Sequence, residues 1–143
     1  MARPNVDKRL VRILDANLNR AREGLRVCEE VARLGWDDVK LSESLRRVRH
    51  DINQVARKLP VTRQTLLLGR NTNGDVGRRL KPAKLSNGRN QIQSLFVINM
   101  QRSKEALRVL EEGSRTLGRP AQNSFHQLRF KLYALETRLT QYR

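Results

Sequence analysis

The chain is poor in several residue types, and each scarcity narrows what it can be. It has a single cysteine, Cys28, so no internal disulfide can hold it together. Cys28 sits in a helical apolar pattern and reads as a small core residue rather than a nucleophile. Phe, Tyr and Trp make up only 4% of the residues, which speaks against a surface that stacks successive nucleic-acid bases. No apolar run approaches the length of a membrane span, and the start, MARPNVDKRL, lacks the apolar core of a secretory signal. The expectation is a cytoplasmic protein without a membrane partner. The pattern GxxxxGK[ST] is also absent, so nucleotide binding would not follow the P-loop design.

Positive charge is plentiful. Lys and Arg number 30 against 14 acidic residues, a formal net charge of +16. That balance favours anionic partners, and arginine supplies most of it, which suits two-pronged phosphate contacts. Composition alone does not choose between nucleic acid, nucleotide and phosphorylated metabolite.

Apolar residues recur at helical spacing from Arg9 to Leu34, where Gly35 is expected as a left-handed cap. Asp37 or Asp38 can cap a second helix that carries Leu41, Leu45, Val48, Ile52, Val55 and Leu59 and stops at Pro60. Between residues 61 and 89 the periodicity fails, predicting a long structured loop with one short helical turn. It resumes near Asn90 and holds to Leu117; Gly118 and Pro120 mark the restart of a fourth helix.

The first and third helices are related. NLNRAREGLRVCEEVAR (17–33) aligns without gaps on NMQRSKEALRVLEEGSR (99–115), with 9 of 17 positions identical. The second and fourth helices match more weakly, through Ser44, Arg49 and Leu59 against Ser124, Arg129 and Leu139. The reading is one all-α domain over residues 1–143, a pseudo-symmetric four-helix bundle from a duplicated helical hairpin with a long structured inter-repeat loop. The first repeat covers about 9–60, the loop 61–89 and the second repeat about 90–143.

Helical projection places Ile13, Leu14, Leu18, Ala21, Gly24, Leu25, Cys28, Val31 and Ala32 on the buried face, with Asn17 in its middle, Arg20 at its edge and Glu23 further toward solvent. Asn99, Arg102 and Glu105 repeat that arrangement, and Arg129 repeats Arg49. A buried amide or guanidinium is costly unless its hydrogen bonds are met. Its appearance in both halves predicts a shared central polar cavity. Glu29, Glu30, Glu111 and Glu112, with Arg26 and Arg108, fit equally well as surface ion pairs. The halves differ in two places: Arg49-His50-Asp51 faces Arg129-Phe130-Lys131, and only the loop carries Arg70-Asn71-Thr72-Asn73-Gly74-Asp75-Val76-Gly77. Glycines and arginines around one carboxylate can present N–H groups and charge to a phosphate, although such pairs also form ordinary turns.

RILDANLNRAREGLRVCEEVAR, LRRVRHD, GRNTNGDVG and NMQRSKEALRVLEE, in that order from about Arg12 to Arg138, closely resemble the small helical family of hydroxymethylpyrimidine phosphate kinases, a domain often fused to thiamine-phosphate synthase. The resemblance implies ATP-dependent phosphorylation of 4-amino-5-hydroxymethyl-2-methylpyrimidine phosphate to its diphosphate, here without an attached synthase, and a requirement for ATP and Mg²⁺. The basic stretch 78–90 matches no motif of that family.

On this reading Arg20, Arg49, Arg70, Arg102 and Arg129, with the Gly74 and Gly77 backbone, hold phosphates. Asn17 and Asn99 bond the pyrimidine edge or a phosphate oxygen. Asp75 coordinates Mg²⁺ or orients the acceptor hydroxyl, Glu23 and Glu105 assist with the metal, and His50 or Asp51 is the alternative base. A bundle this small can form a homo-oligomer to complete its site. The alternatives are a basic nucleic-acid-binding module, which the absence of a binding motif disfavours, and a non-catalytic regulatory bundle.

Overall fold

A computed structural model describes residues 5–80 and 90–142. Five α-helices follow in order: α1 (Lys8–Glu30), α2 (Val39–Arg57), α3 (Arg63–Gly69), α4 (Gln91–Arg115) and α5 (Arg119–Glu136). A π-helical turn, Val31–Gly35, extends α1, and a 3₁₀ turn, Thr137–Gln141, follows α5. The described residues contain no strand. No helix among them is long and apolar enough to cross a membrane. The segment 81–89, most of the basic stretch, lies outside the described residues.

Local chemistry explains the boundaries. The Asp38 carboxylate accepts from the Leu41 N–H at 3.0 Å and caps α2, while Asn90 accepts from the Gln93 N–H at 2.9 Å and caps α4. Gly118, at φ 144°, turns the chain into α5, and Pro120 occupies the first helical turn, where its missing N–H costs nothing. The expected left-handed cap at Gly35 is not formed. The left-handed residue is Asp37, at φ 49°, because α1 widens into an underwound π turn and delays the break by two residues. At Gly35 an added Cβ would meet Ile92 Cγ2 at 3.0 Å, so close packing rather than dihedral freedom favours glycine there.

The four long helices form an all-antiparallel ring, each packed on two others: α1 on α2 and α4, α5 on α4 and α2. Leu14, Leu18, Leu25, Leu45, Ile52, Phe96, Met100, Leu107, Phe125 and Leu132 fill the centre. Ile13, projected onto the core face, is instead exposed. Cys28 is fully buried, its Sγ donates to the Phe96 carbonyl at 3.5 Å, and burial pushes its pKa up to about 12, so it is an inert core residue.

α1 and α4 touch where aligned positions meet. Ser103, the counterpart of Ala21, donates its hydroxyl to the Ala21 carbonyl at 3.1 Å. Beside it, a Cβ on Gly24 would collide with Ser103 Oγ and lie 2.8 Å from the Asn99 carbonyl oxygen. On the opposite side of the ring Lys131 approaches Asp51 at 3.9 Å, again a pair of aligned positions.

The far end of the chain is strapped down. Asp38 Oδ2 accepts from Tyr142 Oη at 2.5 Å and from Arg138 Nη2 at 2.6 Å. The Tyr142 ring stacks on Trp36 at 4.0 Å, and Trp36 packs on Phe96 at 5.0 Å. Burial by itself would raise the Asp38 pKa. The Tyr142 hydroxyl, the Leu41 N–H and Arg138 together outweigh it and hold the group at about 2.

Two outcomes follow. Gly24→Ala lowers stability by about 1–3 kcal/mol in urea unfolding, because the new methyl meets a backbone oxygen that cannot move aside. Gly113→Ala costs less, since its nearest neighbour is the flexible Leu14 Cδ2 at 3.1 Å. For Asp38 the folded pKa lies below the unfolded one, so its contribution is complete above about pH 4 and vanishes as pH falls through about 2. Asp38→Asn lowers stability at pH 7 by about 2 kcal/mol and flattens the acid limb of the stability curve between those values.

Candidate functional site

Two carboxylates on the core-facing side of the long helices organise the polar chemistry. Glu29 on α1 is only 6% exposed and Glu111 on α4 only 4%. Glu29 receives Arg49 from α2 through Nε at 2.9 Å and Nη2 at 3.3 Å, and Arg26 lies 3.5 Å away on its own helix. Glu111 receives Arg129 Nε from α5 at 2.8 Å, approaches His126 Nδ1 at 2.7 Å, and is met by Arg108 Nη1 at 3.2 Å. Burial favours a neutral Glu111, but Arg129 and then His126 hold its carboxyl below the usual range. The same bond, with Tyr133 as a smaller contributor, raises the Arg129 pKa. Each buried carboxylate thus fixes an arginine from the facing helix, with the Arg49 and Arg129 side chains left 21% and 13% exposed.

Beside the first cluster runs an open groove of about 670 Å³ between the end of α1 and the start of α2. Arg26, Arg33, Arg46, Arg49 and His50 line it together with Glu29, Asp37 and Glu43. His50 faces this groove, whereas its neighbour Asp51 turns toward Lys131 on α5.

The second cluster has different surroundings. Gly113, two residues beyond Glu111, packs against Leu14 and Leu10 of α1. Next to Leu14, the buried Asp15 takes Arg70 in a two-pronged bond, Nε and Nη2 each at 2.8 Å, which ties the start of the inter-hairpin loop to α1. Loop anchor and Glu111 cluster therefore share the end of the bundle where α1 begins and α4 finishes. Glu29 lies fourteen residues further along α1, about 21 Å at 1.5 Å per residue.

After Arg70 the loop folds on itself. Asn71 Oδ1 accepts from the Gly74 N–H at 2.9 Å, Asp75 Oδ1 accepts from the Gly77 N–H at 2.9 Å, and Arg78 donates to Asn73 at 3.0 Å. Residues 71–80 are all exposed.

This geometry corrects several expectations. Among the described residues Asn17, Asn99, Arg49 and Arg129 do not converge on one shared cavity. Asn17 is buried but donates to the Ile13 carbonyl at 2.8 Å, and Asn99 donates to the Leu95 carbonyl at 2.9 Å. Each amide is satisfied one turn back in its own helix. They lie on opposite sides of the α1–α4 crossing, and Arg49 and Arg129 are held in two separate places. Arg70 is engaged by Asp15, and the Gly74 and Gly77 N–H groups by Asn71 and Asp75, so none of the three stands free as a phosphate ligand. Arg20 and Arg102 are exposed, as are Glu23 and Glu105; Glu105 accepts from Gln101 Nε2 at 3.0 Å. Among the described residues no three His, Cys, Asp or Glu side chains converge on a metal position.

Sequence reasoning missed the depth of Glu29 and Glu111 and the presence of His126 and Asp15. The signal available was the double glutamate repeated in both halves together with the repeated Arg49 and Arg129, since a buried guanidinium demands a buried carboxylate.

The ThiD2 family model matches residues 12–138. The thiamine-phosphate synthase of Synechocystis sp. is 40% identical over 131 residues, covering 91% of this chain and 36% of that protein. The thiamine-phosphate synthases of Rhodopirellula baltica and Nostoc punctiforme are 38% and 37% identical, over 91% and 94% of this chain and 34% and 36% of theirs. The chain thus spans about a third of the length of these curated relatives. No solved structure matches it. The match over residues 12–138 shows that the chain belongs to the ThiD2 family.

Proposed function

We propose that the chain transfers the γ-phosphoryl group of ATP to 4-amino-5-hydroxymethyl-2-methylpyrimidine phosphate, giving the diphosphate used in thiamine synthesis. The sequence resemblance supports this choice of reaction. The observation that supports it in the fold is the Glu111 cluster, an arginine-bearing surface held rigid at the end of the bundle that also carries the Asp75 loop. The Glu29 cluster stands too far along α1 for one phosphoryl group to touch both, so the chemistry belongs at the loop end.

The acceptor here is a phosphate, which simplifies the task. A phosphate monoester loses its second proton near pH 6 and attacks as a dianion. Its oxygen bonds to the γ-phosphorus as the bond from that phosphorus to the β,γ-bridging oxygen breaks, and ADP departs with the released charge. No proton has to be removed, so His50 and Asp51 are not required as bases, and Asp75 has no acceptor hydroxyl to orient. Bringing two anions together is the difficulty, and it is met by fixed cations. Arg129 and Arg108 are held by Glu111, while Arg20 and Arg102 add charge from the exposed faces of α1 and α4.

Mg²⁺, when bound, would supply charge that neutralises the donor phosphates. That ion is ordinarily held by one or two carboxylates plus phosphates and water rather than by a protein cage. Asp75, exposed in the loop and with only one oxygen engaged by Gly77, suits that mode, with Glu23 or Glu105 as a second carboxylate.

Purified protein with ATP and MgCl₂ forms ADP only when the monophosphate is supplied, and not with the unphosphorylated pyrimidine or without acceptor; mass spectrometry identifies the diphosphate. Asp75→Asn lowers kcat at least tenfold with an unchanged melting temperature. Folded protein that makes no diphosphate, or an Asp75→Asn variant of full activity, overturns the respective part of the scheme.

A further inference from the structure

Among the described residues only two Phe, Tyr or Trp side chains are exposed, and they are neighbours. Phe130 is 53% and Tyr133 44% exposed on α5, with ring centroids 5.7 Å apart; His126 lies 4.7 Å from Phe130 on the preceding turn. The other aromatics, Trp36, Phe96, Phe125 and Tyr142, are packed into the bundle or its C-terminal strap.

These rings rest on cations that cannot drift. Lys104 Nζ sits 4.7 Å over the Tyr133 ring and is pinned by Glu136 at 2.6 Å. The Arg129 guanidinium carbon is 5.1 Å from the Phe130 centroid and 5.8 Å from that of Tyr133, and its Nε is pinned by Glu111. A ring whose π-face lies over a fixed cation is held in place and electron-withdrawn. Its remaining surface is then a preorganised partner for a second, electron-rich planar ring. The phosphate of such a ligand would meet Arg108 and the outer N–H groups of Arg129. The first hairpin has no such platform, since His50 stands where Phe130 does.

We infer that the Phe130–Tyr133 face of α5 is the seat of a planar heteroaromatic ring that carries a phosphate. This rests on the kinase reading for its place in a reaction, and the chemistry is shared by the pyrimidine acceptor and the purine of the donor. Two side chains 5.7 Å apart accommodate one ring; a single strand of nucleic acid requires a succession of them.

Calorimetric titration of the intact protein compares the pyrimidine phosphate, AMP and ribose 5-phosphate, the last being AMP without its ring. One ring-bearing ligand binds at least tenfold more tightly than ribose 5-phosphate, and which one it is separates acceptor from donor. In the Phe130→Leu/Tyr133→Leu double variant that advantage falls below twofold. Should the double variant fold poorly, NMR of the wild type gives nuclear Overhauser contacts between ligand ring protons and the Phe130 ring. Equal binding with and without a ring, an unaltered advantage in the folded double variant, absence of those NMR contacts, or ring-dependent binding confined to oligothymidylate each overturns the assignment. A ring preference lost in the variant, with no diphosphate ever formed, keeps this site and removes the kinase. Diphosphate formation with an unchanged KM for both substrates in the variant does the reverse.

Discussion

The bundle depends on one close approach, between α1 and α4 at Gly24. With no side chain there, the two helix backbones come near enough for the Ser103 hydroxyl to bond the Ala21 carbonyl, and the positions of all other layers follow. Because the helices run antiparallel and meet at aligned residues, whatever one hairpin presents near its crossing the other presents on the opposite side. The paired polar clusters are a consequence of that placement: Glu29 and Glu111 end up far apart although they occupy corresponding positions.

Each cluster shows how a strongly basic chain tolerates internal charge. A buried glutamate that receives an arginine from the next helix joins the two helices at once, and at Glu111 the bonds from Arg129 and His126 outweigh burial and hold the carboxyl below its usual range. The same bond withdraws an arginine from solution and gives it a fixed direction. In the second half it also supports aromatic rings, whereas in the first half it borders an open groove of arginines. Similar frames thus carry dissimilar surfaces.

The apolar spacing made the four long helices legible, and residue chemistry made legible a cap at Asp37 or Asp38, which the structure forms at Asp38, and the restart at Gly118-Pro120. The limits were equally physical. Periodicity says which side of a helix is apolar but not which neighbour covers it, so projection puts Ile13 on a core face that leaves it outside and leaves open whether Glu111, which the bundle closes over, is a surface ion pair. The π turn at Val31–Gly35 has no sequence signature in spacing, and it moved the left-handed residue from glycine to Asp37. Loop residues such as Asp75, Gly74 and Gly77 could be read as turn formers or as ligands; the hydrogen bonds among them favour the turn, and only the Asp75 carboxylate keeps a claim to function.

The stack of Tyr142, Trp36 and Phe96 has an optical consequence. Trp36 is the chain's sole tryptophan, and it stands where the end of α1, the cap of α2, the start of α4 and the C-terminal turn converge. Its emission is therefore a local gauge of whether that corner is closed. A peeling of the last few residues would alter its intensity while the helical circular-dichroism signal stayed the same, so fraying at one seam can be told apart from melting of the whole bundle by light alone.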